Sequence, residues 1–234
     1  MQNRKGEIHV YADKRLQDIL EYQLKVLNTH LTFSLIFHSL SCQPELLYED
    51  HALTVESFPL LHRHDAPVCG FLFREKERFR AINKEMTDAW NVPVSFLQYL
   101  KKGEDFVTDE GQLVANSRLT MDAPPPRSYA YMTDTLYREK FAAFVENVDL
   151  LYHEATYGKE YENLAQETCH STAEQAALLA KKAGVKSLIL GHFSTRYPDP
   201  SCLLPEAVAI FPNTSICTDG DIFSVSLTKS NDKK

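Results

Sequence analysis

Val148-Asp149-Leu150-Leu151-Tyr152-His153-Glu154-Ala155-Thr156 is a largely apolar run that ends abruptly in an imidazole, a carboxylate and a hydroxyl. Val148 to Tyr152 reads as a buried strand, and the polar group after it sits at the strand's carboxyl end. Working outward, the arrangement recurs three times. Ala52 to Leu60 runs into Leu61-His62, Ser128 to Met132 into Thr133-Asp134-Thr135, and Lys186 to Leu190 into Gly191-His192-Phe193-Ser194. Carboxyl ends of strands in a layered α/β fold meet along one rim, where ligands bind. His62, Asp134, Glu154 and His192, far apart in sequence, are therefore expected to converge.

The segments between these strands keep the alternating rhythm. Glu7 to Tyr11 reads as a short strand. Asp13 caps a helix whose apolar stripe is Leu16, Ile19, Leu20, Leu24 and Leu27. Thr32 to Leu40, Leu46 to Glu49 and Val68 to Phe73 are further extended segments. Leu136 to Glu146 is expected as a helix, Thr172 to Ala183 as another stopped by Gly184, and the stretch from Asp221 as a last strand. From about Glu75 to Arg127 the character changes: the stretch is charged, carries Val92-Pro93 and a turn at Asp109-Glu110-Gly111, and closes on Pro124-Pro125-Pro126. It reads as an excursion from the core with one helix and a small hairpin.

Composition narrows the class. The 234 residues are 44% hydrophobic, enough to bury a sizeable core. Lys plus Arg number 25 against 32 Asp plus Glu, a net charge of −7, which argues against coating nucleic acid or anionic membrane by bulk charge. No apolar stretch reaches the roughly 18 residues of a membrane span, and Met1 to Glu7 is too polar for a secretory leader. Cys42, Cys69, Cys169, Cys202 and Cys217 are scattered and never form a C-x-x-C pair. That spacing speaks against a disulfide scaffold and for a reducing cytoplasm.

A fifth polar group is Cys169-His170-Ser171-Thr172. Ser171 with Glu174 matches a capping box, which places His170 beside the positive end of a helix, where a phosphate oxygen can dock. A histidine there can hold or donate a proton near neutral pH. Each group also has a purely structural reading. Asp134-Thr135 can cap the helix near Leu136, Glu154 can satisfy backbone donors in a turn, and His170 can be incidental to its cap. His9, His30, His38, His51 and His64 take the structural reading. The run Arg74-Glu75-Lys76-Glu77-Arg78-Phe79-Arg80 is either a phosphate-tracking stripe, if extended, or a salt-bridged solvent face, if helical. Several such groups at equivalent strand ends point to a histidine–carboxylate metal site.

Taken together, His153-Glu154-Ala155-Thr156, His170-Ser171-Thr172 with Glu174-Gln175-Ala176-Ala177 after it, and Gly191-His192-Phe193-Ser194-Thr195-Arg196-Tyr197 resemble, in order and spacing, the motifs of ribonuclease Z, the tRNA 3′-processing endonuclease family of the metallo-β-lactamase fold. Thr133-Asp134-Thr135 is similar to the family's Asp-Thr motif, and Pro59-Leu60-Leu61-His62 to its upstream histidine motif. Glu7 to His30, ending Asn28-Thr29-His30, is similar to the stretch that follows the family's first metal loop.

The resemblance implies an α/β fold, a metallo-β-lactamase-like αββα sandwich with an inserted arm at about 75–127, spanning 1–234 as one domain. It implies a zinc-dependent endoribonuclease that removes the 3′ trailer of precursor tRNA as a cytoplasmic homodimer. His62 is expected to bind the first zinc, Asp134 to bridge two zincs and His192 to bind the second. His170 is expected at the scissile phosphate, protonating the leaving oxygen and oriented by Glu154, with Arg196, Ser171 and Thr172 binding substrate. Two metals sharing a carboxylate can activate water and neutralise charge building on phosphorus. Arg196 adds a planar fork of donors for the same charge.

Two departures from the family pattern bear on activity. The His-x-His-x-Asp-His signature belongs upstream of the segment that matches Glu7, so the fold is expected to be incomplete at its amino-terminal side and the 234-residue chain to cleave poorly. The arm carries Val92-Pro93-Val94-Ser95-Phe96 where the family has a Gly-Pro-containing motif. Two other readings stand beside the nuclease: a non-catalytic remnant that binds tRNA or a partner subunit, and a related hydrolase of small phosphodiesters or other esters.

Overall fold

The computed structural model describes residues 5–41, 43–62 and 67–225. Cys42 and His64 lie outside the described residues. The chain divides into two compact units, Met1–Arg74 with Ser128–Phe223, and Glu75–Arg127 with Ser224–Lys234.

The first unit opens with strand β1 (Glu7–Ala12), helix α1 (Lys14–Val26) and strand β2 (Ser34–Ser39). The two strands pair in parallel as a two-stranded sheet, from Glu7↔Ser34 to Ala12↔Ser39. Asp13 caps α1 by accepting the Arg15 amide, as its position before an amphipathic stripe requires. No residue of α1 is buried, and Ile19, Tyr22, Val26 and Leu27 are exposed.

The main sheet has seven strands. β3 (Glu45–Glu49), β4 (Leu53–Leu60) and β5 (Val68–Glu75) form one side. β6 (Ser128–Met132), β7 (Leu150–Glu154), β8 (Ser187–Gly191) and β9 (Thr214–Ile216) form the other. The spatial order is β9-β8-β7-β6-β5-β4-β3. β6 through β9 run parallel, while β5 is antiparallel to β6. Parallel neighbours put their carboxyl ends on one rim. β7 extends to Glu154, so His153 and Glu154 belong to the strand itself, and the last strand is Thr214–Ile216. Residues 221–225, expected to open a strand, have no regular structure. Among the described residues no strand pairs with them, and their apolar residues alone do not make an extended pairing.

α2 (Glu162–Thr168), α3 (Ala173–Ala183) and α4 (Leu204–Val208) complete this unit. α3 packs on β7 and β8, on α4 and on the 3₁₀ turns of Glu139–Val145. Its buried face is Ala173, Ala176, Ala177, Leu179, Ala180 and Ala183, small enough to bring the helix close to the strands. Leu151, Leu188, Leu190, Met132 and Phe141 fill the core it covers. Gly184 ends the helix in the left-handed conformation at φ 65°.

Two local expectations are corrected. Residues 139–145 form 3₁₀ turns instead of the α-helix expected over 136–146. The Leu136 amide is drawn to the Leu61 carbonyl at 2.7 Å, and Arg138 is extended with no side-chain cap, so turns close at i→i+3 while burying Phe141, Ala142 and Val145. The capping box of α3 is Thr172 with Gln175, one residue after the expected Ser171 with Glu174. Ser171 is engaged elsewhere: its amide binds Glu154 and its hydroxyl donates to the Thr135 carbonyl at 2.6 Å.

The second unit has its own core of Leu100, Phe106, Val114 and Leu119, flanked by Ile82, Met86, Trp90 and Phe96. Short helices at Lys84–Ala89, Leu97–Lys101 and Asn116–Leu119 surround two small antiparallel ribbons. Asn116 is buried, donates to the Leu100 and Glu104 carbonyls at 2.8 Å each, and accepts from Thr120. Glu75 and Arg127, at the two ends of the insertion, form a bidentate pair at 2.6 and 3.0 Å. Arg78 joins Glu75, and Arg80 pairs with Asp122, so two cations of the run 74–80 are already matched; its strand ends at Glu75 and residues 76–80 have no regular structure.

Candidate active site

The rim of the main sheet gathers the polar strand ends. His62 follows β4, Asp134 follows β6, Glu154 ends β7 and His192 follows β8. His170 comes from the turn between α2 and α3. One ligand atom from each of His62, Asp134 and His170 lies within 4.8 Å of the other two. Asp134 Oδ1 and His192 Nε2 are 3.1 Å apart. The His170 ring lies 4.9 Å from that of His62 and 5.2 Å from that of His192, centroid to centroid.

The backbone is bent to make this possible. Asp134, Cys169 and His192 all take left-handed φ values, of 48°, 59° and 59°. Non-glycine residues adopt that region rarely, and such conformations persist only where surrounding structure holds them. The hold is visible. Leu136 and Thr135 bond to Leu61 next to His62, and the Ala155 amide donates to Gly191 next to His192. The Ser194 amide in turn donates to the Thr156 carbonyl at 3.0 Å.

The hydrogen bonds fix which nitrogen each histidine presents. His62 Nδ1 donates to the Cys169 carbonyl at 3.0 Å, since a carbonyl can only accept. His170 Nδ1 donates to Glu154 Oε1 at 3.0 Å. His192 Nδ1 lies 2.8 Å from the Thr156 hydroxyl. In His62 and His170 this turns Nε2 toward the site, and His192 Nε2 faces Asp134 Oδ1 at 3.1 Å, orientations that a metal-binding or proton-carrying imidazole needs.

Glu154 is fully buried. Oε1 accepts from the Thr135 amide at 2.5 Å and from His170; Oε2 accepts from the Thr156 hydroxyl at 2.5 Å and the Ser171 amide at 3.1 Å. Burial pushes its pKa up, but the His170 ring and the Thr156 and Ser171 donors outweigh that and hold the carboxyl below its ordinary value. Glu154, His170 and His192 can also bring ligand atoms within 4.8 Å of one another. Both Glu154 oxygens are already engaged by two or more donors each. His153, its neighbour, is buried on the core side, with Nδ1 donating to the Glu154 carbonyl at 2.7 Å.

The fit to a divalent metal follows from this donor set. Asp134 brings a ligand atom within 4.8 Å of one on His62 and its Oδ1 within 3.1 Å of His192 Nε2, so the carboxylate is in reach of both imidazoles. A cation about 2.0–2.2 Å from each ligand spans that separation.

Ser171 and Thr172, expected to meet substrate, are buried with their hydroxyls spent inside the fold. They shape the turn that carries His170. The Arg196 guanidinium lies over the Tyr161 ring, 5.7 Å from its centroid. Tyr161 approaches Tyr157 at 6.3 Å, and Tyr157 meets His170 edge-on at 6.3 Å. Arg196 thus connects to the histidines through two aromatic rings and not by direct contact. Thr135 and Thr156, absent from the expected site residues, are its internal ties, and their place beside Asp134 and Glu154 is the signal that could have found them.

No protein-family model matches the sequence. The chain is 45% identical over 217 residues to a ribonuclease Z of Bacteroides fragilis, covering 92% of this chain and 71% of that protein. Among solved structures it resembles the short form of human tRNase Z, with a TM-score of 0.61 and 20% identity over 94% of this chain and 67% of that one. It also resembles the metallo-β-lactamase fold protein YhfI of Bacillus subtilis, with a TM-score of 0.56 and 18% identity over 92% of this chain and 64% of that one. At these identities the likeness establishes the fold, which is that of the metallo-β-lactamases.

Proposed function

The chain belongs to the ribonuclease Z family, and from that premise we propose that it is a zinc-dependent endoribonuclease that removes the 3′ trailer of precursor tRNA. The observation that carries the reading is the convergence of His62, Asp134 and His170 at the rim of the main sheet, with His192 Nε2 3.1 Å from Asp134.

His62, Asp134 and His192 are the residues that hold metal, which when bound supplies Lewis acidity at the phosphodiester. His170 carries the proton. Its Nδ1–H is fixed on the Glu154 carboxylate, so its Nε2 can deliver a proton to the leaving oxygen. Glu154 sets the ring's orientation. Arg196 supplies a donor fork against the phosphate, pre-oriented by Tyr161. The unit built on Glu75–Arg127 is the tRNA-gripping arm.

The same donor set limits the reaction. Among the described residues three histidines and one aspartate converge. Zinc takes at least three protein ligands, so with His170 reserved for the proton, His62, Asp134 and His192 fall short of holding two metals. The 234-residue chain on its own therefore holds zinc weakly and cleaves slowly. We also propose a cytoplasmic homodimer. Among the described residues no helix is long and apolar enough to cross a membrane, and Cys169, Cys202 and Cys217 are free thiols.

The test is cleavage of a precursor tRNA beside a chromogenic phosphodiester, with and without zinc. Slow trailer removal that rises with zinc and vanishes in Asp134→Asn is expected. Hydrolysis of the small ester alone would overturn the tRNA assignment, and robust cleavage without added metal would overturn the zinc assignment. Light scattering that shows only a monomer would remove the dimer.

A further inference from the structure

Arg196 is exposed, and what steadies it comes from the residue that follows it. The loop leaving β8 turns tightly: the Tyr197 amide donates to the Ser194 carbonyl at 3.0 Å, and the Arg196 amide to the Ser194 hydroxyl at 3.3 Å. The turn at 158–161 is anchored independently. The Ala173 amide donates to the Tyr157 carbonyl at 2.9 Å, and the Lys159 amide to Glu206 of α4 at 3.1 Å. Loop and turn meet at one phenol. Tyr197 Oη lies 2.8 Å from the Gly158 amide nitrogen and 2.9 Å from Glu160 Oε1. An amide can only donate and a carboxylate accepts, so the hydroxyl takes the Gly158 hydrogen and gives its own to Glu160. Burial, with the Glu160 carboxylate beside it, pushes the Tyr197 pKa up to about 12, so the donor persists across the neutral range. A Cβ on the buried Gly158 would come within 2.4 Å of Glu160 Oε2, so glycine leaves that carboxylate room beside the turn. The Tyr197 ring also meets Tyr161 edge-on at 6.4 Å, and Tyr161 is the ring under Arg196.

We propose that Tyr197 is the positioning residue for Arg196: its hydroxyl ties the 192–197 loop to the 158–161 turn and so holds the guanidinium over Tyr161. A phenylalanine keeps the edge-on packing but leaves the buried Gly158 amide without this acceptor and Glu160 without this donor. Loop and turn are then joined by ring contact alone, and Arg196 loses its fixed place. The inference rests on the phosphate role proposed for Arg196 above and adds the residue that prepares it.

Two measurements on the 234-residue chain test it. The first needs no activity. The Tyr161 ring current shifts the Arg196 δ-methylene proton resonances upfield, and Tyr161→Leu gives the ringless reference. Tyr197→Phe is expected to move them toward that reference, while Glu160→Gln, which keeps an acceptor for the phenol, stays near wild type. The second is kcat/KM for trailer removal from precursor tRNA with zinc present. Tyr197→Phe is expected to lose about tenfold, the scale of one hydrogen bond to a charged group. In Arg196→Ala the same substitution should cost nothing further, because residues that act through one contact are not additive. Arg196 resonances that do not move in Tyr197→Phe overturn the proposal, as do losses that multiply in the double variant. If Tyr197→Phe does not fold by circular dichroism, Glu160→Ala removes the phenol's acceptor and must give the same shift and the same non-additivity. A wild-type chain that leaves the tRNA uncleaved counts against the nuclease reading alone, and the resonances still decide the role of Tyr197.

Discussion

Glu154 accepts the His170 Nδ1 proton at 3.0 Å from a position with no solvent exposure, and it reaches from the end of β7 to the turn between α2 and α3 to do so. A buried carboxylate kept charged by four separate donors is a rigid reference point, and the histidine on it inherits that rigidity. Replacing Glu154 with Gln turns one acceptor oxygen into an amide that must face N–H donors. The expected result is a loss of about 1–3 kcal/mol of stability in urea titrations. A drop in trailer cleavage larger than the drop in tRNA binding should accompany it. Unchanged stability would show that the donors around Glu154 rearrange freely.

The Asp134 and His192 pair gives a second prediction. Asn tolerates the left-handed backbone of Asp134 nearly as well as Asp, so Asp134→Asn removes the charge with little conformational cost. Zinc retained after dialysis should fall sharply while the melting temperature of the metal-free chain holds. A chain that keeps its zinc would exclude Asp134 as a ligand.

Acid titration separates the second unit from the first. The Arg127 side chain bonded to Glu75 holds that carboxyl down to about 2, against an ordinary value of 4.5. A depressed carboxylate contributes stability that is complete above its unfolded pKa and lost as pH falls through the folded one. Glu75 should therefore stabilise its unit fully above about pH 5 and progressively less toward pH 2, by about 1 kcal/mol after screening of a partly exposed pair. Glu75→Gln should flatten that dependence in amide hydrogen exchange of residues 81–121. An identical acid profile in both chains would rule the pair out as its source.

Gly191 ends β8 against Tyr152, and a Cβ there would come within 2.2 Å of the Tyr152 hydroxyl and 2.6 Å of its ring. Gly191→Ala should cost about 1–3 kcal/mol by overpacking. Adding Tyr152→Phe should recover only part of that loss, because the ring carbons remain in the way. Complete recovery would place the whole conflict on the hydroxyl.

Much of the rim was legible because each strand announces its end: an apolar run stops and a polar side chain follows, as at Leu60-Leu61-His62 or Leu190-Gly191-His192. The cap of α3 was misplaced by one residue for an instructive reason. Ser171 with Glu174 and Thr172 with Gln175 satisfy the same pattern, and the choice is made by Glu154, 17 residues away, which takes the Ser171 amide. The core of Glu75–Arg127 was illegible because its apolar residues lie in helices and ribbons of two to six residues, too short to show a period. The 3₁₀ turns at 139–145 depend on Leu61 pulling the Leu136 amide, a contact between segments that no local window contains.

The three left-handed residues around the site also decide how the sequence can drift. Substitutions at Asp134, Cys169 and His192 meet a backbone filter before any chemical one, and β-branched residues fail it at every position. Cysteine at 169 is the poorest fit of the three, and only its carbonyl is used by His62. A randomised library selected for stability alone should enrich Gly or Asn at 169, each gaining about 1 kcal/mol. Under the same selection, Asp134 and His192 already belong to the residue types that region accepts, so evolution recruited its reactive groups from the short set the bend allows.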